Sequence, residues 1–193
     1  MTCIVAIEHK GIVYMAGDAA ATTGMDISRR ADEKVFQNGE FLIGFAGSFR
    51  TGQLLKHALV PPKQKKGQDD MNFMVTTFID AVRELQREKG SMRKDSEEES
   101  SNAAFLVGYK GKLYEVDSDF QVAVPHEEYD AIGSGSQIAL GALYATRNIM
   151  DDPEQRMRLA LEAAAEYNTG VRAPFCFYKT TKKKTIRTPK TQI

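Results

Sequence analysis

The chain has 193 residues, 42% apolar and 27% charged, and its 26 basic and 26 acidic side chains leave a formal net charge of zero. That supplies enough apolar sequence for one core-bearing domain over 1–193, and the balanced charge argues against nucleic acid or an anionic membrane as partner. Cys3 and Cys176 are the only cysteines, so there is no disulfide framework and a reducing compartment is expected.

Residues 2–8 and 12–16 read as two β-type runs around His9-Lys10-Gly11, a hairpin. The apolar part of the first run stops at Glu8, too short for a secretory signal core. No stretch approaches the length of a membrane span, and the expected location is the cytoplasm. The second run ends at Gly17-Asp18, small residues follow through Gly24, and another strand leads into Lys34-Val35-Phe36. Gln37-Asn38-Gly39-Glu40 is a tight-turn signal, because Asn-Gly tolerates positive φ, and Phe41 to Ala46 then reads as a buried strand.

Gly47-Ser48 marks a switch into a helix that Pro61-Pro62 cannot continue. A basic loop over 61–68 precedes Asp69-Asp70, an N-cap for a helix with Met74, Phe78, Val82 and Leu85 on one face. Residues 89–102, with the acidic run 95–99, lack periodicity and are expected to be a mobile surface loop. A second hairpin joins Ala104–Gly108 to Lys112–Val116, and a strand runs to Ile132 before Gly133-Ser134-Gly135-Ser136. A helix over about 137–150 follows. Asp152-Pro153 opens the next one, with Met157, Leu161 and Ala164 buried, ending near Asn168-Thr169-Gly170. Strands at 174–179 and 184–187 close the chain. Strands, two helices, strands, two helices, strands is the order of an α+β fold: a four-layer αββα sandwich of two antiparallel sheets.

Within this frame three residues stand out. Thr2 follows Met1, Asp18 lies in Ala16-Gly17-Asp18, and Lys34 lies in Asp32-Glu33-Lys34-Val35. Once Met1 is removed, Thr2 carries an α-amine and a β-hydroxyl on adjacent atoms, a nucleophile with its own base. The unperturbed amine pKa near ~8 leaves a useful neutral fraction at physiological pH. A lysine at the end of an inward-facing strand is costly without a carboxylate partner, which favours pairing Lys34 with Asp18.

Thr2-Cys3-Ile4-Val5-Ala6, Met15-Ala16-Gly17-Asp18, Lys34-Val35, Gly44-Phe45-Ala46-Gly47 and Ala131-Ile132-Gly133-Ser134-Gly135 together resemble the proteasome β-type subunits, and most of all the bacterial HslV-like peptidases. The likeness runs in order over almost the whole chain and implies the fold of the N-terminal nucleophile (Ntn) hydrolases. It implies Thr2 as nucleophile and Lys34 as the ammonium that stabilises the threonine oxygen and lowers the amine pKa. It implies Asp18 as the carboxylate pairing that lysine, Gly47 as the backbone donor to an oxyanion, and Ser134 as a hydrogen-bond partner near the amine. Glu166 and Thr169 stand where the family often carries Asp-x-x-Ser-Gly, and the longer Glu changes the reach of that pair. Cys3 replaces a common threonine and reads as core packing.

His9, His57 and His126 have no spacing that makes a triad with Ser134, and the basic run from Lys179 to Lys190 reads as a solvated face and tail. No cluster has metal-ligand spacing and no phosphate loop is present, so no metal or cofactor is expected and any ATP hydrolysis belongs to another chain. The expected function is a threonine peptidase acting on peptide or unfolded protein inside a homo-oligomeric ring, with an ATPase unfoldase as partner. Two rivals stand beside it: a non-catalytic assembly subunit of the same fold, and a small-molecule amidohydrolase on that architecture.

Overall fold

Alternation along the strands decides which face of each sheet meets which layer. The computed structural model describes residues 1–95 and 98–181. In chain order these form β1 (Ile4–His9), β2 (Ile12–Gly17), β3 (Ala20–Thr23), β4 (Asp26–Arg29), β5 (Val35–Asn38) and β6 (Phe41–Gly47). Then come α1 (Phe49–His57), α2 (Asp70–Phe73) and α3 (Ile79–Glu88), the last two joined by a π-helical turn over Met74–Phe78. They are followed by β7 (Met92–Asp95), β8 (Glu98–Ser101), β9 (Ala103–Tyr109), β10 (Lys112–Val116), β11 (Val122–Ala123) and β12 (Tyr129–Ile132). The helices α4 (Ser136–Thr146) and α5 (Pro153–Tyr167) precede β13 (Cys176–Lys179).

Two antiparallel sheets result, one in the order β12-β1-β2-β13 and the other β11-β10-β9-β6-β5. Between them lie Ile4 and Ala6 of β1, Val13 and Met15 of β2, Leu42 and Ala46 of β6, Leu106 of β9 and Leu113 of β10. The opposite face of β1 sends Val5 and Ile7 against Met157, Leu161 and Ala164 of α5 and Leu143 of α4. The opposite face of β6 sends Phe41, Ile43 and Phe45 against Leu54 and Leu55 of α1, Phe78 of the π-helical turn and Val82 of α3. A period of two thus separates three apolar layers, and the αββα sandwich follows. The middle layer is thin. A Cβ at Gly44 would fall 2.7 Å from Ile4 Cγ2, and one at Gly108 2.9 Å from Val13.

The helix signals hold: Ser48 caps α1 through Thr51 N–H, Asp69 caps α2, and Asp152 caps α5 with Pro153 in its first turn. Four readings change. Residues 92–95 and 98–101 pair as a two-stranded ribbon rather than a loop, because Glu99 takes hydrogen bonds from both Arg83 and Arg87 and ties the ribbon to α3. Residues 20–29 form a further ribbon, β3–β4. The helix expected to reach about 150 ends at Thr146, whose hydroxyl bonds back to the carbonyls of Ala142 and Leu143. The last observed strand starts at Cys176 rather than 174. The strand expected at 184–187, the Lys182–Lys184 cluster and part of the acidic run 95–99 lie outside the described residues. Among those described, no helix is long and apolar enough to cross a membrane.

At one open edge of the middle layer Glu115 of β10 meets Asp130 of β12. Burial first, then the charges of Asp130 and Asp117 and a hydrogen bond with Asp130, push Glu115 up to about 7, and burial raises Asp130 as well. Glu8 on neighbouring β1 is already taken by Lys112 and the N–H of Leu113. Because the folded-state pKa of Glu115 lies above its unfolded value, the stability it contributes is full below about 4.5 and is lost as pH rises through about 7. Glu115→Gln is therefore expected to raise Tm by a few degrees at pH 8 and by less at pH 5. Equal shifts at both pH values would refute the raised Glu115 pKa.

Candidate active site

Thr2 lies just ahead of β1 and is 4% exposed. The turn Gly133-Ser134-Gly135 after β12 holds it: Gly135 N–H donates to Thr2 O at 3.2 Å, and Thr2 N–H donates to Ser134 Oγ at 3.2 Å. Gly133 has φ +96°, and a Cβ there would fall 2.3 Å from Thr2 O, so only glycine lets the two backbones approach. With Met1 attached, the Thr2 nitrogen is a peptide amide; it would be an α-amine only if Met1 were removed. The Thr2 hydroxyl donates to Met1 O at 2.6 Å, and Lys34 Nζ reaches the same oxygen at 3.5 Å. The Thr2 hydroxyl and the Lys34 ammonium therefore converge on one carbonyl oxygen.

Lys34, at the entrance to β5, is 1% exposed, and Asp18, just after β2, is 2% exposed. Lys34 Nζ donates to Asp18 Oδ1 at 2.8 Å. Asp18 also accepts from the backbone N–H groups of Cys3 at 2.9 Å, Ala20 at 2.9 Å and Arg172 at 3.3 Å. Burial pulls the Lys34 pKa below the ordinary lysine value, and the charge and hydrogen bond of Asp18 oppose it. The Phe49 ring sits 5.8 Å from Lys34 Nζ, with the Arg30 guanidinium 4.3 Å from the same ring. Cys3, fully buried behind Thr2, is pushed up to about 12 by burial and then by Asp18, which leaves its thiol protonated and packed in the α-helical layer.

Gly47 is where β6 outruns β5. Ser48 N–H donates to Asn102 O at 2.9 Å while Gly47 lies opposite Ala103, so Gly47 and Ala103 form a non-hydrogen-bonded pair. On the other side Phe45 N–H donates to Lys34 O at 3.1 Å. The next N–H in that direction belongs to Gly47, and it faces the β5 side beyond Val35, where no strand pairs with β6. Gly47 has φ +117°, and a Cβ there would fall 2.5 Å from Asn102 O.

The structure joins Thr2 to Ser134 and Lys34 to Asp18 by hydrogen bonds, with Lys34 also reaching the Met1 carbonyl; Gly47 ends β6, the strand paired with β5 just after Lys34. Glu166 and Thr169 are exposed at the end of α5 instead. The helix stops at Tyr167 and Asn168 leaves it in an extended conformation, which turns the amide of Asn168 inward. Its Nδ2 donates to Ser134 O at 2.7 Å, and its Oδ1 accepts from Gly170 N–H at 2.9 Å and from Ser134 Oγ at 3.4 Å. Asn168 thus takes the supporting place expected of that pair. Arg172 was also missed: its guanidinium donates to the carbonyls of Ala165, Asn168 and Val171. Only the polar Asn before Thr-Gly signalled the first; nothing in the pattern signalled the second.

No family model matches the chain. It is 30% identical over 168 residues to the ATP-dependent protease subunit HslV of Caldicellulosiruptor saccharolyticus, covering 85% of this chain and 89% of that protein. Among solved structures, Thiobacillus denitrificans BPH in complex with epoxomicin superposes with a TM-score of 0.80 at 21% identity, over 94% of this chain and all of that one. Eukaryotic HslV from Trypanosoma brucei gives 0.67 at 23% identity, over 92% and 98%. These two likenesses establish the Ntn-hydrolase fold.

Proposed function

The chain belongs to the HslV family of protease subunits, and from that premise we propose that it is a threonine-type endopeptidase with Thr2 as its nucleophile. The observation that carries this reading is the convergence of Thr2 Oγ1 and Lys34 Nζ on one carbonyl oxygen. Removal of Met1 turns the Thr2 nitrogen into an amine beside Ser134 Oγ. The amine takes the hydroxyl proton, directly or through a water, and the oxygen attacks a substrate carbonyl. Lys34, held by Asp18, stabilises the developing negative charge on the threonine oxygen. Gly47 N–H receives the oxyanion, and a fixed donor of this kind contributes about 3 kcal/mol to the transition state. The departing amine takes a proton, the acyl group stays on Thr2 as an ester, and water then hydrolyses it. Ser134, steadied by Asn168, keeps the amine in place.

The same family membership supports an assembly of identical subunits in the cytoplasm that encloses the nucleophile and receives unfolded protein from an ATPase partner. The test is intact mass before and after epoxomicin, with the adduct mapped. Loss of Met1 with a single adduct on Thr2 is expected. Retained Met1, or a free Thr2 that stays unmodified, would assign the chain to a non-catalytic assembly role. Labelling without peptide cleavage would point to a small-molecule amidohydrolase.

A further inference from the structure

The Gly47 donor is held from behind by a residue that touches neither Thr2 nor Lys34. Asn102 lies between β8 and β9, and its carbonyl accepts Ser48 N–H at 2.9 Å. That bond fixes the register in which Gly47 N–H faces away from β9. Asn102 contributes no side chain to any of the three apolar layers. Its amide instead donates to Ser91 O at 2.9 Å, and Ser91 N–H in turn donates to Gln86 O at 3.0 Å on α3. A continuous line of hydrogen bonds therefore runs from the end of α3 through Asn102 to the peptide that follows Gly47. Directly beside that line, Gly47 adopts its positive φ with its Cα hydrogen turned toward Asn102 O, leaving no space for a side chain.

We propose that Asn102 is a positioning residue for the oxyanion donor: its side chain, anchored on Ser91, sets where its own carbonyl holds Ser48 and hence where Gly47 N–H points. This rests on the reading of Gly47 as that donor. A staple that merely joined the β8–β9 corner to α3 would affect stability and leave turnover per folded molecule alone.

The experiment compares Asn102→Ala and Asn102→Asp with the unaltered assembly, using hydrolysis of a fluorogenic peptide and amide hydrogen exchange of the segment containing Gly47 and Ser48. Aspartate keeps the size of asparagine and cannot donate to Ser91 O, so it carries the comparison if the alanine variant does not fold. Both variants are expected to lose about tenfold in kcat with KM within about twofold, a fraction of the loss when such a donor is removed outright. Exchange at Ser48 is expected to accelerate in step. Unchanged exchange, unchanged kcat, or a loss carried by KM would overturn the role of Asn102. If the unaltered chain takes no epoxomicin adduct on Thr2, the peptidase reading itself fails, and that is seen before any variant is made.

Discussion

Thr2→Ala is expected to lower peptide turnover by about 10⁴-fold or more with no change in Tm. The hydroxyl donates to Met1 O, a bond that leaves with Met1, so its loss withdraws little from the folded state. On the proposed reading, what disappears is the oxygen that would be acylated, and the neighbouring cysteine is no substitute. The adjacent thiol of Cys3 is buried on the other face of the strand and stays protonated, its pKa pushed up to about 12. Thr2→Ser restores an oxygen on the same carbon and is expected to return most of the rate. A Thr2→Ala variant that still cleaved peptide would place the nucleophile elsewhere.

Asp18→Asn is expected to be the most damaging conservative change in the chain, lowering stability by about 3–5 kcal/mol and abolishing hydrolysis. The amide removes the only carboxylate paired with Lys34 among the described residues and leaves a buried ammonium. It also sets an NH₂ group among backbone N–H donors from Cys3, Ala20 and Arg172. At this chain length the loss corresponds to a fall in Tm of about 10 °C. Lys34→Met leaves Asp18 its three backbone donors, so its effect on Tm is expected to be smaller, although hydrolysis is lost equally. Joining the two changes removes both buried charges together, and the double variant is expected to recover a large part of Asp18→Asn's stability loss while staying inactive. Thermal unfolding and hydrolysis measured on all four proteins check this; strictly additive Tm shifts, or an active double variant, would contradict the pairing.

Of this site, only the Lys34–Asp18 pair was legible from burial alone; Thr2 stood out by its place after Met1, and the places of Gly47 and Ser134 came from the likeness to the proteasome-type subunits. A lysine entering an inward-facing strand requires a carboxylate, and Asp18 was available at the end of the preceding hairpin. The αββα order followed from alternation and from turn residues, both local properties. The β3–β4 ribbon escaped because it stands off the sheets: every residue of β4 is exposed, so no alternation marks it. The β7–β8 ribbon escaped for a related reason, since Arg83, Arg87 and Glu99 tie it to α3 through contacts that periodicity cannot express. The exchange of Asn168 for Glu166 and Thr169 came down to where α5 ends. Stopping at Tyr167 turns the next residue inward, and a shift of that size lies beyond what capping signals resolve.

The two halves of the reaction centre belong to different sheets. Thr2 leads into β1, whereas Gly47 ends β6 and Lys34 stands just before β5, so the distance between the proposed nucleophile and oxyanion donor is a distance between layers. That spacing is gauged by glycine: Gly44 of β6 meets Ile4 of β1 with no room for one carbon more. The interior acts as a shim of fixed thickness. A methyl group added there, far from any reacting atom, would part the two sheets and put nucleophile and donor out of reach of a single carbonyl.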